Sequence, residues 1–175
     1  MQKLQQHKLP VIFLLISMLA FAATAPIASE DEHGEHGEQS EHLTVTEHLR
    51  VLHGWTQATD HEHARIFMAI ENIGDETVRI TGGRSEIGEQ THLVGFSMVN
   101  GQAQYERLDA VPVMPNRMLN LEPRGLALAV EGLSQPLAKG DSFPLTLTTD
   151  HGDIAMIIAV EAADAKQHSH AGHAH

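Results

Sequence analysis

The 175-residue chain carries 23 acidic against 11 basic side chains, a formal net charge of −12, together with 14 histidines, seven methionines and no cysteine. That charge excludes nucleic acid as a natural partner, because a phosphate backbone repels an acidic surface. The absence of thiols excludes disulfides, cysteine lipidation and thiolate ligation, so a soft metal ion would have to be held by Met or His.

Met1 to Lys8 carries two lysines and no acid, and Leu9 to Phe21 is almost wholly apolar, with small residues at Ala20, Ala22, Ala23 and Ala25. This is the pattern of a secretory signal peptide over residues 1–25, with cleavage expected between Ala22 and Ala28 and export to the periplasm. The apolar run is shorter than the ~20 residues of a membrane-spanning helix. Without Lys3 and Lys8 the chain keeps nine basic and 23 acidic side chains, a formal charge of −14. Residues 29–42 offer acids, glycine, His33 and His36 without apolar periodicity, and are expected to form a disordered tail.

Folded structure is expected over 43–162. Leu43, Val45, Leu49, Val51, His53 and Trp55 share one parity, which predicts a half-buried first strand. A loop over Thr56–Ala64 follows, then strands in Arg65–Asn72, Thr77–Gly83 and Gly88–Val99, with Asn100-Gly101 marking a hairpin. Further strands are expected in QAQYERL, RMLNLEP, LALAVEG, FPLTLTTD and Ile154–Ala162, separated by a Pro112–Pro115 loop, a Pro136–Gly140 turn and a turn at His151-Gly152-Asp153. Eight or nine short strands at this spacing predict an all-β domain, an antiparallel Greek-key sandwich or barrel. Residues 163–175 read as a second polar tail with His168, His170, His173 and His175.

Three stretches carry a family resemblance: LEPRGLALAVEGLSQPLAKGDSFPLTL (Leu121 to Leu147), FMAIENIGDETVRITGG (Phe67 to Gly83) and, more weakly, VLHGWTQA. Together they resemble the PCuAC copper chaperone family. The resemblance implies a cupredoxin-like Greek-key domain that holds Cu(I) in the periplasm, and a partner that accepts copper, in the assembly of cytochrome oxidase. The family's ligands are a His, a later Met, and a His-x-Met pair. His92 falls at the first His, whereas Ala127 and Ala129 stand at the His-x-Met pair and no Met lies between Ala103 and Tyr105.

Replacement ligands are therefore sought elsewhere. Met98, Met114 and Met118 are the thioether candidates to join His92, while Met68 and Met156 fit strand patterns and read as core. His61 and His63 form a His-x-His pair that shares one face if extended. His53 reads as a partly buried, hydrogen-bonded histidine, and His42, His48 and His151 as surface or turn residues. The tail histidines His33, His36, His168, His170, His173 and His175 suit Cu(II) or Zn(II). The expected function is thus a copper metallochaperone. The alternative is a Zn/Cu buffer that binds metal through its tails, with the β-domain as scaffold. No nucleophile–base arrangement, phosphate-cradling loop or three-His zinc motif points to an enzyme.

Overall fold

A computed structural model describes residues 43–169. Eleven strands are present among them: β1 Leu43–Val45, β2 Leu49–Gln57, β3 His63–Asn72, β4 Val78–Arg84, β5 Gln90–Val99, β6 Gln102–Arg107, β7 Val111–Val113, β8 Met118–Leu121, β9 Leu126–Glu131, β10 Ser142–Thr149 and β11 Gly152–Glu161. They form one mostly antiparallel sheet in the order β6-β5-β9-β8-β3-β2-β11-β10-β4-β7, with β1 on β2. The all-β, cupredoxin-like fold expected from the sequence is thus the one found. The pairings of β11 with β2 and of β8 with β9 are parallel.

The sheet encloses a core of aliphatic side chains, among them Ile66, Ile70, Ile80, Leu128, Leu147 and Ile158, all fully buried. Alternation produces this: in β10, Phe143, Leu145 and Leu147 are buried while Pro144 is exposed. Met68 and Met156 lie in that core, as their strand patterns suggest. Asn72, fully buried, braces one end of the sheet by donating from Nδ2 to the carbonyls of Glu76 at 2.7 Å and Val113 at 2.8 Å. Asn100 and Gly101 both take positive φ, 53° and 79°, as a two-residue hairpin between β5 and β6 requires. Pro112 sits inside a short strand where a loop was expected. It is tolerated because β7 is an edge strand, where a missing N–H costs no ladder bond.

The first long strand departs from its expected parity. β1 pairs with Arg50–Leu52 and β11 with Trp55–Gln57, while β3 runs along β2 with a register break between Leu52 and Trp55. His53 and Gly54 fill that break as a β-bulge, with His53 in the left-handed region at φ 52°. The extra residue flips the alternation. Val51 faces the main core, but Trp55 turns to the opposite face, where it packs on Phe67 with ring centroids 4.8 Å apart.

Candidate metal centre

β9 lies between β3 and β5, and the register places His92, Ala129 and Arg65 in one row across them. This is the face on which the resemblance would put copper. Ala127, fully buried, packs with Trp55, Phe67 and Val94 in a small apolar cluster, and Ala129 packs against its margin. The Arg65 guanidinium lies 4.1 Å over the Tyr105 ring. Hydrocarbon and a cation–π pair therefore occupy the place of the missing donors.

His92 itself is held among these groups with its side chain 11% exposed and Nε2 3.6 Å from Glu131 Oε1. Its Nδ1 is buried without a hydrogen-bond partner among the described residues. Arg65 and Arg107 line the same open groove. The two guanidinium groups oppose an incoming metal cation, Glu62 and Glu131 on the same groove favour one, and Ala127 and Ala129 supply no donor, so the residues on this face do not make up the inherited copper site.

The thioether candidates are not brought to His92. Met98 lies six residues further along β5, about 20 Å at the rise of a strand. Met118 pairs with Glu71, six residues along β3 from Arg65, which lies in the His92 row, so it too is about 20 Å away. Met114 sits at the same end as Met118, accepting the Thr77 hydroxyl at 3.6 Å. All three are more than half exposed. No set of three or more His, Asp or Glu side chains among the described residues is arranged to hold a metal ion.

The structure instead brings histidines together in twos. His61 and His63 stack with ring centroids 5.6 Å apart and nearly parallel planes, on the surface. His48 meets His151 edge-on at 5.0 Å. His53 and His168, from opposite ends of the domain sequence, lie 5.4 Å apart with a 38° tilt. His33, His36, His170, His173 and His175 lie outside the described residues, as do residues 1–25.

The third pair contains the one buried ring among these six, His168. The chain beyond β11, expected as a polar tail from residue 163, turns back along the domain, so that His168 is only 8% exposed. The reason is Glu161, itself buried: its carboxylate takes the Ser169 N–H and hydroxyl, each at 2.9 Å, and lies 2.9 Å from His168 Nδ1. Burial pushes the Glu161 carboxyl up. The Ser169 hydrogen bonds and the charge and hydrogen bond of His168 outweigh it and hold the carboxyl below its ordinary value. Gln57 Nε2 donates to the Ala165 carbonyl at 2.8 Å and secures the same segment.

His53 completes the pair because the bulge aims its ring at the returning segment. A left-handed backbone at a residue with a Cβ costs roughly 1–2 kcal/mol, and such strain gathers at functional positions. His53, Trp55 and His168 line an open pocket of about 280 Å³, with Glu122 and Lys166 at its rim. Sequence periodicity did not single out this pair. The one available cue is Gly54, since a glycine inside a strand pattern marks a bulge.

The β-fold of this topology is similar to that of PCuAC domains. The copper-bound PCuAC domain from PmoF2 superposes with a TM-score of 0.59 at 21% identity, covering 69% of this chain and 98% of that one. The apo PmoF2 PCuAC domain gives 0.61 at 22%, covering 73% and 100%. Cu(I)-bound DR1885 from Deinococcus radiodurans gives 0.54 at 18%, covering 73% and 85%. At these identities the likeness establishes the fold. No curated protein sequence matches the chain. The family model described as lipoprotein LpqE-like matches residues 49–160, most of the described domain. The chain belongs to the LpqE-like family.

Proposed function

We propose that this protein is an exported copper-binding protein that takes up copper in the periplasm and hands it to an accepting protein. The observation that carries the reading is the fold shared over nearly the whole of a PCuAC domain described as copper-bound. The signal-like N-terminus supports export, and a chain with 14 histidines and no cysteine supports imidazole ligation. The accepting protein, on the same reading, belongs to cytochrome oxidase assembly, as the resemblance implies.

The second reading is a Zn/Cu buffer that binds through its surface and tail histidines, and the exposed His61 and His63 pair favours it. Titration of the signal-free chain with Cu(I), Cu(II) and Zn(II), beside a variant with His33, His36, His170, His173 and His175 all changed to Ala, separates the two. A chaperone retains one tightly held copper in the variant. A buffer loses its capacity in proportion to the imidazoles removed, and a chain that binds no copper overturns the first reading.

A further inference from the structure

We infer that His53 and His168 form a two-imidazole copper site on the face of the β2 bulge, with Glu161 as the positioning residue that orients His168. The inference rests on the copper reading above and names its site. It differs from the position implied by the resemblance, which lies in the His92 row.

The distance fits first. A metal–imidazole nitrogen bond is about 2.0–2.1 Å. Two rings sharing one ion therefore have centres about 5–6.5 Å apart, the lower end for a bent, tetrahedral angle and the upper end for a linear one. The 5.4 Å between His53 and His168 falls inside that window. His48 with His151 and His61 with His63 fall in it too, at 5.0 and 5.6 Å. What sets the His53–His168 pair apart is the burial of one ring, His168. His61 has 73% of its side chain exposed, whereas that of His168 is 7% exposed, so an ion held there exchanges less readily with water and competing ligands.

The second argument is the proton. A carboxylate 2.9 Å from His168 Nδ1 places the imidazole proton on Nδ1 and the lone pair on Nε2. A carboxylate behind a histidine is the arrangement that fixes ring orientation and raises ligand basicity in metal sites. The third is charge. Glu161 lies 2.9 Å from His168 and offsets an added cation, with Lys166 and Glu122 of opposite sign on the same pocket. The fourth is the bulge: the left-handed backbone at His53 is a local cost that buys the ring its position across from His168.

Cu(I) titration of the full signal-free chain against a chromophoric Cu(I) chelator, under reducing anaerobic conditions, tests this. His53→Asn keeps a residue type that tolerates left-handed backbone, and His168→Gln keeps an amide donor toward Glu161. Each is expected to weaken Cu(I) binding about 100-fold, and Glu161→Gln about 10-fold, as loss of an outer-shell partner does. His92→Ala and the double change His61→Ala, His63→Ala should leave the affinity unchanged. In the unaltered chain, one equivalent of diamagnetic Cu(I) should shift the ring resonances of His53 and His168, a readout that does not depend on any variant folding. Wild-type affinity in both ligand variants, or unshifted His53 and His168 resonances at one bound equivalent, overturns the site while leaving the copper reading standing. No Cu(I) bound by the unaltered chain overturns both.

Discussion

The His92 row across β5, β9 and β3 and the His53–His168 pocket beside β2 hold the same residue type in different settings. At His92 a single imidazole faces Glu131, with Ala129, two arginines and an aromatic cluster around it, so it has one carboxylate neighbour but no second imidazole in its row. At His53 and His168 two imidazoles converge with a carboxylate, and the main-chain distortion that brings them together is local. The difference teaches that a fold can keep its strand order while the chemistry of one face is replaced by hydrophobic contact. Position in an aligned motif then says less than the charges and donors around it.

Restoring the motif donors should break the comparison most forcefully. Ala127 has no exposed surface and touches the ring cluster of Trp55 and Phe67. Ala127→His with Ala129→Met would overpack that cluster, at a cost of about 1–3 kcal/mol. Urea unfolding should show the loss directly, and Cu(I) titration should show no second tight site while Arg65 remains. A variant as stable as the parent that binds a second copper would mean the His92 face is a dormant site and not a packed one.

How far the sequence already announced these two regions depends on what held each one together. Strand order along the chain, the Asn100-Gly101 hairpin and the core positions of Met68 and Met156 were legible because alternation and turn chemistry are local. The altered His92 environment was legible in part, since Ala127 and Ala129 cannot ligate. The Arg65–Tyr105 stack was hidden because it depends on β5, β6 and β3 meeting through β9. Trp55 was assigned to the wrong face because one bulge residue inverts every later side chain in the strand. His168 was read as tail because composition alone cannot reveal that Glu161 binds Ser169 back onto the domain. Contacts between the two ends of a domain leave no periodic trace.

A smaller effect comes from Glu161. Replacing its carboxylate by Gln exchanges charge-assisted hydrogen bonds for neutral ones, a loss of about 1 kcal/mol. Its folded pKa is lowered, so the stabilisation is complete above the ordinary carboxylate pKa and is lost as the pH falls through the folded value. In the metal-free protein, amide protection factors in residues 163–169, referred to the intrinsic exchange rate at each pH, should therefore be high at neutral pH and fall as the pH drops below the ordinary carboxylate range. Glu161→Gln should already exchange faster at neutral pH and respond less to acid. Parallel pH curves for the two proteins would show that the carboxylate charge does not hold the segment.

The smallest expected effect is also the sharpest on the cause of the difference. Arg65→Ala removes the cation over Tyr105, about 0.5–1 kcal/mol for a partly exposed pair, and with it one of the two positive charges in the His92 groove. His92 and Glu131 would remain 3.6 Å apart as a two-donor site with one repelling charge fewer. If charge is what excludes metal from this face, Zn(II) should bind there weakly in Arg65→Ala and shift the His92 ring resonance, where the parent shows no shift. If the resonance stays put, it is the absence of further donors, fixed by Ala127 and Ala129, that keeps the face empty of metal. The repulsion argument would then fall while the packing argument stands.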